Sequence, residues 1–260
     1  MTPAAASSSD VRLAASLAQQ AGQLLLSLRE RQGAPTGREL GAHGDADSNA
    51  FLLRELAAAR PDDAVLSEES ADSPARLSAE RVWIIDPLDG TREYGLPGRS
   101  DWAVHVALFR AHDGIIAAAV AQPALDALYT SDDVAAGDVA AGSLLRRRPL
   151  ILVSDSRPPV FAEQVAAAVG ADLAPMGSAG AKAMAVVRGQ ADAYLHAGGQ
   201  WEWDSAAPVG VARAAGLHAS RIDGSELLYN QPYPYLPDLL VCRAELAQLL
   251  LTAIAAASWG

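Results

Sequence analysis

Apolar residues in this chain come in short runs, and that limits what it can build. Between residues 64 and 130 the runs are strand-sized, at 64–66, 82–85, 115–120 and 127–130, and Trp102, Val104, Val106 and Leu108 alternate with Ala103, His105 and Ala107. Side chains alternate across a strand, so this stretch reads as an antiparallel meander. After Pro149 strand-like and helix-like segments alternate: strand 150–153, helix 160–169, a short strand, helix 181–188, strand 193–195, helix 204–215 stopped by Gly216, strand 239–241 and helix 244–257. That alternation predicts a layered α/β half. Two helices precede the meander. The first is capped by Asp10, turns Leu17, Ala21, Leu24 and Leu28 inward, and stops at Gly33. A Gly-rich stretch (Gly37, Gly41, Gly44) leads to the second, over 48–59, with Phe51, Leu52, Leu56 and Ala59 inward and Pro61 ending it. Residues 131–148 are rich in Asp, Ala and Gly and end in Arg146, Arg147 and Arg148; they read as a surface loop with a solvated basic turn.

Charge and cysteine usage exclude several classes. The 260 residues carry a formal net charge of −11, which argues against a nucleic-acid binder, since such affinity rests on a basic face. A small phosphorylated ligand stays compatible, because metal ions can supply positive charge. Cys242 is the only cysteine, so no internal disulfide is expected and a reducing cytoplasm is the natural setting. Residues 1–9 are small and polar and read as a flexible N-terminus, not a secretory signal. No apolar run approaches the roughly 20 residues that span a bilayer.

Chemistry gathers in carboxylates at the ends of the apolar runs. Glu68 and Glu69 follow the run 64–66. Asp86 follows 82–85, with Asp89 three residues on in Asp86-Pro87-Leu88-Asp89-Gly90-Thr91. Asp204 stands between Trp203 and an apolar helix. Acids at the ends of buried strands face the edge of a cleft. Several together raise one another's pKa, and a hard divalent cation with oxygen ligands relieves the repulsion. Pro87 fixes the backbone between two of them, Gly90 permits close approach of a ligand, and the Gly90 and Thr91 amides suit a phosphate oxygen. Singly, each piece has an ordinary reading: a turn for Asp86–Gly90, a helix N-cap for Asp204, a solvated loop acid for Glu68.

Taken in order, Ser67-Glu68-Glu69-Ser70, Asp86-Pro87-Leu88-Asp89-Gly90-Thr91 and Trp203-Asp204-Ser205-Ala206-Ala207 resemble the three motifs of the inositol-monophosphatase-like, magnesium-dependent, lithium-sensitive phosphatases. The resemblance runs from the first helix to the last. Within the family it is strongest to the CysQ branch of 3′-phosphoadenosine-5′-phosphate phosphatases, especially actinobacterial members. It implies an α/β (α+β) fold, a layered α-β-α-β-α sandwich of the sugar-phosphatase kind. The N-terminal α+β half (10–148) and the C-terminal α/β half (149–260) would form one catalytic unit around a shared site. It implies two or three Mg²⁺ ions held by Glu68, Asp86, Asp89, the Leu88 carbonyl and Asp204. Thr91 would orient the attacking water with an acid near the start of the second helix. That acid is Asp45, or else Asp47, which also reads as a helix cap. Ala42 stands where the family usually has a threonine three residues before this acid.

The same resemblance places Glu68, Leu88, Asp89, Gly90, Thr91, Ser178, Lys182 and Asp204 around the substrate. Arg92-Glu93-Tyr94 is similar to the nucleotidase continuation. Lys182 stands where that branch has a lysine whose ammonium can hold a second phosphate; its other reading is an exposed helical lysine. Residues 177–182, in contrast, have the loop length of the inositol phosphatases. Trp201 and Trp203 read as stacking on a base or sugar or as core, and His105 and His196 as packed or edge histidines. The expected reaction is removal of the 3′-phosphate of 3′-phosphoadenosine 5′-phosphate or its sulfated form. Inositol 1-phosphate and fructose 1,6-bisphosphate are the alternative substrates, and retention of all four acids argues against a silent binding protein. The expected partner is a small phosphorylated nucleotide or sugar, with no nucleic acid and no membrane. A homodimer is compatible with the sequence, which does not specify oligomeric state.

Overall fold

A computed structural model of the chain describes residues 8–31, 36–133 and 148–258. Helices α1 (Ser8–Glu30) and α2 (Gly37–Ala59) precede strands β1 (Ala64–Ser67) and β2 (Arg81–Asp89), the one-turn helix α3 (Thr91–Tyr94), then β3 (Ala103–Arg110), β4 (Gly114–Gln122) and β5 (Ala127–Thr130). The strands form a sheet in sequence order, parallel between β1 and β2 and antiparallel beyond. The remainder alternates: β6 (Leu150–Ser154), α4 (Ala162–Val169), β7 (Asp172–Met176), α5 (Ala179–Val187), β8 (Ala193–Trp201), α6 (Glu202–Ala214), β9 (His218–Ser220), β10 (Tyr235–Cys242) and α7 (Ala247–Ser258). Its sheet has the order β7-β6-β8-β10-β9.

Three buried clusters set the layering. Leu17, Ala21, Leu25, Leu52 and Leu56 of α1 and α2 cover one face of the first sheet at Trp83, Ile85, Val104 and Val106. Val82, Ile84, Ala103, Ala107 and Ala118 on the other face pack on α5 and α6, which also meet Tyr194, Leu239 and Val241 of the second sheet. The outer face of that sheet, with Ile151, Val153, Leu195 and Leu240, is closed by Val165 of α4 and by Leu250 and Ile254 of α7. The layers therefore run α-β-α-β-α. β2 and β3 are apolar on both faces because helices cover both. Among the described residues, no helix is long and apolar enough to cross a membrane.

Several boundaries differ from the sequence reading. α2 begins at Gly37, so the Gly-rich stretch is helical. Added Cβ atoms there would lie 2.6 Å from Thr91 Cγ2 at Gly41 and 2.9 Å from Leu88 Cδ2 at Gly44. Glycine is retained for contact at a helical cost of about 1 kcal/mol. Leu25, not Leu24, completes the α1 stripe, and Ala59 is exposed. Asp10 lies inside the first turn of α1, where Arg60 and Arg81 hold its carboxylate at 2.9 and 3.1 Å. Residues 8 and 9 of the expected flexible terminus are helical; 1–7 lie outside the described residues, as do Gly33, Arg146 and Arg147. Arg148 pairs with Asp172 at 3.0 Å. β8 is longer than its apolar run, with Gly198 and Gly199 at positive φ of 111° and 95° inside it, and β10 extends back to Tyr235 across a register shift between Leu236 and Asp238.

Candidate active site

Strand register explains why the acids meet. The parallel pairing Ser67↔Ile85 sets Glu68, just past β1, at the same end of the sheet as Asp86 in β2. In a regular strand, residues three apart point to opposite faces. The β2–β3 register steps from Asp86↔His105 to Asp89↔Ala103, which puts one extra residue into β2. This bulge turns Asp89 onto the face that Asp86 occupies. Residues 86–89 are thus a bulged strand end and not the free turn that their composition suggests. The turn follows at Gly90, with φ of 87° and a Cβ position only 3.0 Å from the Asp101 carbonyl oxygen. Asp204 is the third residue of α6 and accepts the Trp201 N–H at 2.6 Å, so it folds back on the helix start and is not the N-cap residue.

Carboxyl oxygens of Asp86, Asp89 and Asp204 lie within 4.8 Å of one another. Asp86 accepts the Leu88 N–H at 3.0 Å through Oδ1, and its buried Oδ2 has no hydrogen-bond partner. Burial, then the charges of Glu68, Asp89 and Asp204, push the Asp86 carboxyl well above its ordinary range. Burial, then the charge of Asp89, raises Asp204 to about 6. Glu68 stands at the rim, outside this triad and exposed as a residue. Desolvation on its inner side, then the charges of Asp204, Asp45, Glu69 and Asp89, push its carboxyl up to about 8.

Asp89 behaves oppositely. Burial disfavours its charge, but His105, the Ser178 hydroxyl and Lys182 outweigh that and hold it at about 2. Its Oδ1 accepts the Ala179 N–H at 3.1 Å and its Oδ2 the Gly180 N–H at 2.7 Å, at the start of α5. Ser178 Oγ donates to the same Oδ2 and accepts from the Ala181 N–H at 2.9 Å. His105, fully buried, sets Nε2 3.2 Å from Asp89 Oδ2 and Nδ1 3.1 Å from the Trp203 carbonyl oxygen. A Cβ at Gly180 would come within 2.1 Å of that ring nitrogen. His105 therefore belongs to the acidic site, which the sequence reading did not find. The available signal was one polar residue on the alanine face of β3, between Ala103 and Ala107.

An all-oxygen set of crowded carboxylates with one bare buried oxygen fits a hard divalent cation. Beside it, Asp45 is buried mid-helix in α2, and its Oδ1 accepts from Thr91 Oγ1 at 3.3 Å; that hydroxyl also lies 3.1 Å from the Leu88 carbonyl oxygen. Burial, then the Glu69 charge, raises Asp45 to about 7 against the Thr91 hydrogen bond. Asp47 is exposed and ten residues into α2, so it is not a cap.

Lys182 is 3% exposed, which removes the surface-lysine reading. Its ammonium donates to the carbonyls of Met176, Gly177 and Ser178 at 3.3, 3.1 and 2.6 Å and stacks 5.0 Å from the Tyr194 ring centroid. All three protons are engaged, so the expected grip on a second phosphate is not what this geometry presents. Lys182 instead ties down the loop that carries Ser178, whose φ of 52° is strained for a non-glycine residue. Trp201 and Trp203 stack on each other at 5.4 Å, and Trp201 lines the cleft. The cleft, about 430 Å³, runs from Glu68, Asp89 and Asp204 out to Ser154–Arg157 and Tyr235. His196 lines it too, its Nε2 3.0 Å from the Gly199 carbonyl oxygen.

Known proteins resemble the chain in sequence and in fold. A sequence model of the inositol monophosphatase family matches residues 8–259. The chain is 54% identical over 256 residues to the 3′-phosphoadenosine 5′-phosphate phosphatase of Mycobacterium leprae, covering 94% of this chain and 93% of that protein. It is 56% identical over 240 residues to the protein of the same name from Mycobacterium bovis, covering 90% and 89%. Its fold is similar to that of an inositol monophosphatase from Zymomonas mobilis, with a TM-score of 0.76 and 19% identity over 97% of this chain and 100% of that one.

Proposed function

The chain belongs to the inositol monophosphatase family, and we propose that it is a magnesium-dependent phosphatase that converts 3′-phosphoadenosine 5′-phosphate to adenosine 5′-monophosphate and phosphate. Sulfur assimilation, which generates that nucleotide, is the setting this reading implies. The observation that carries the hydrolytic chemistry is the convergence of Asp86, Asp89 and Asp204 from distant parts of the chain. Similarity to the mycobacterial phosphatases supports the choice of nucleotide. The buried single cysteine, Cys242, supports a reducing, cytoplasmic location.

Glu68, Asp86, Asp89, Asp204 and the Leu88 carbonyl are the donors proposed to hold the metal. When bound, magnesium supplies positive charge against the anionic ester and makes water a better nucleophile. Asp45 is proposed to take the proton of the attacking water; a carboxyl near 7 matches that work at neutral pH. Thr91, bridging Asp45 and the Leu88 carbonyl, orients that water. Asp89 is held still by the first amides of α5, so substrate entry does not displace it.

Phosphate release from a panel of 3′-phosphoadenosine 5′-phosphate, inositol 1-phosphate and fructose 1,6-bisphosphate tests the assignment. The nucleotide is expected to lead in kcat/KM by about tenfold or more. Activity should vanish on chelation and return with Mg²⁺. Faster turnover of inositol 1-phosphate would replace the substrate assignment.

A further inference from the structure

A buried arginine outside the acidic cluster ties the two sheets together beside the site. Glu68 follows β1 of the first sheet, and Asp204 lies in α6, which follows β8 of the second. Asn49 of α2 holds the near end of the Glu68 loop. Its Oδ1 accepts from Ser67 Oγ at 2.8 Å, and its Nδ2 donates to the Glu69 carbonyl at 3.3 Å and to Ser70 Oγ at 3.1 Å. The far end of the loop runs into a short 3₁₀ helix, Pro74–Ser78, whose Arg76 is 1% exposed. The Arg76 guanidinium grips Asp72 in the loop at 2.7 and 2.9 Å. It also reaches the connection between β9 and β10, donating to Asn230 Oδ1 at 2.7 Å and to the Gln231 carbonyl at 2.9 Å. Glu202, the first residue of α6 and equally buried, takes the same turn by its amides. Its carboxylate accepts the Asn230 N–H at 2.6 Å and the Gln231 N–H at 2.8 Å. Asp204 follows two residues later. A buried path thus runs from the Glu68 loop through one turn to the helix of Asp204.

We infer that Arg76 and Glu202 are positioning residues: by clamping the 230–231 turn from opposite sides they fix Glu68 against Asp204, and that spacing sets how tightly the site holds its divalent cation. The inference rests on the reading that both carboxylates serve the metal. Neither Arg76 nor Glu202 lines the cleft, so each acts through the acid it positions. A buried charge is a costly source of stability and is better suited to fixing a geometry. Groups that orient metal ligands typically carry roughly 10- to 100-fold of metal affinity.

Two variants and a control test it. Asn230 has a φ of 58°, so Asn230→Gly keeps the backbone and both amides that Glu202 holds, and deletes the oxygen that Arg76 holds. Arg76→Lys keeps the charge but loses the planar fork that spans Asp72 and the turn. The control is Arg188→Gln: Arg188, at the C-terminal end of α5, also joins the sheets, through Gln122 and the Tyr129 hydroxyl, but away from the acids. Melting temperatures measure what each variant costs the fold. Calorimetry of Mg²⁺ binding to the full chain and hydrogen exchange of amides 68–73 in the metal-free chain measure the clamp. Mg²⁺ should bind Asn230→Gly and Arg76→Lys roughly tenfold more weakly, with faster exchange at 68–73, and should bind Arg188→Gln as it binds the wild type. Should Arg76→Lys not fold, Asn230→Gly decides alone. Unchanged Mg²⁺ affinity in Asn230→Gly, or an equal loss in Arg188→Gln, overturns the inference and leaves the network a brace for the fold. A wild type that binds no Mg²⁺ while the exchange effect persists removes the metal reading, and the affinity claim with it, and leaves the clamp on the Glu68 loop in place.

Discussion

Asp86 and Asp89 lie three positions apart, yet their surroundings drive them in opposite directions. Asp86 keeps one oxygen bare among other acids and is pushed toward the protonated form. Asp89 is met by two helix amides, a hydroxyl and His105, and stays ionised down to about pH 2. Asp89→Asn keeps the size and removes the charge. It should lower kcat by roughly a hundred- to thousandfold or more, with the far-ultraviolet dichroism of the folded protein retained. A variant with near-normal kcat would remove Asp89 from the reaction. At this scale the acids were legible, because a carboxylate ending an apolar run has few structural uses. His105 was not, because nothing in its neighbours along the chain says that Asp89 and the Trp203 carbonyl converge on its ring.

At the scale of elements, close contacts decide what propensity does not. Gly44 lies in α2, where alanine is normally preferred by about 1 kcal/mol. A Cβ there would stand 2.9 Å from Leu88 Cδ2, 2.9 Å from Tyr94 Cε1 and 3.0 Å from Leu25 Cδ2. Overpacking of this kind typically costs about 1–3 kcal/mol, so the clash outweighs the helical gain. Gly44→Ala should therefore shift the urea midpoint down. A midpoint shifted up would mean that the Leu88–Tyr94 segment yields easily. The α2 glycines read as a break in the sequence because the contacts that confine Gly41 and Gly44 come from α1, β2 and α3. The bulge in β2 was hidden for the same reason: it shows only as a register against β3.

Across the whole molecule, the site couples protonation to folding. Asp45 and Glu68 bind protons with values of about 7 and 8 in the folded, metal-free chain, well above their unfolded range. Their contribution is complete below the unfolded carboxylate range and is lost as pH rises through the folded values. Metal-free protein should accordingly melt at a lower temperature at about pH 8.5 than at about pH 6.5, a window above that in which His196 titrates. Added Mg²⁺ should remove most of the difference. A metal-free melting temperature that climbs across this window would contradict the crowding of these acids.

Sequence alone was enough to identify a layered α/β chain, the strands that end in acids, and the phosphatase family. The first two follow from residue type and spacing, and the family from the resemblance of three motifs to known ones; all are local features that survive without coordinates. Only the tertiary structure decided which carboxyl is charged, that Lys182 is buried on three carbonyls, that His105 backs Asp89, and which side chains line the cleft. Each of these depends on burial and on partners supplied from elsewhere in the chain, and a one-dimensional pattern carries no record of either.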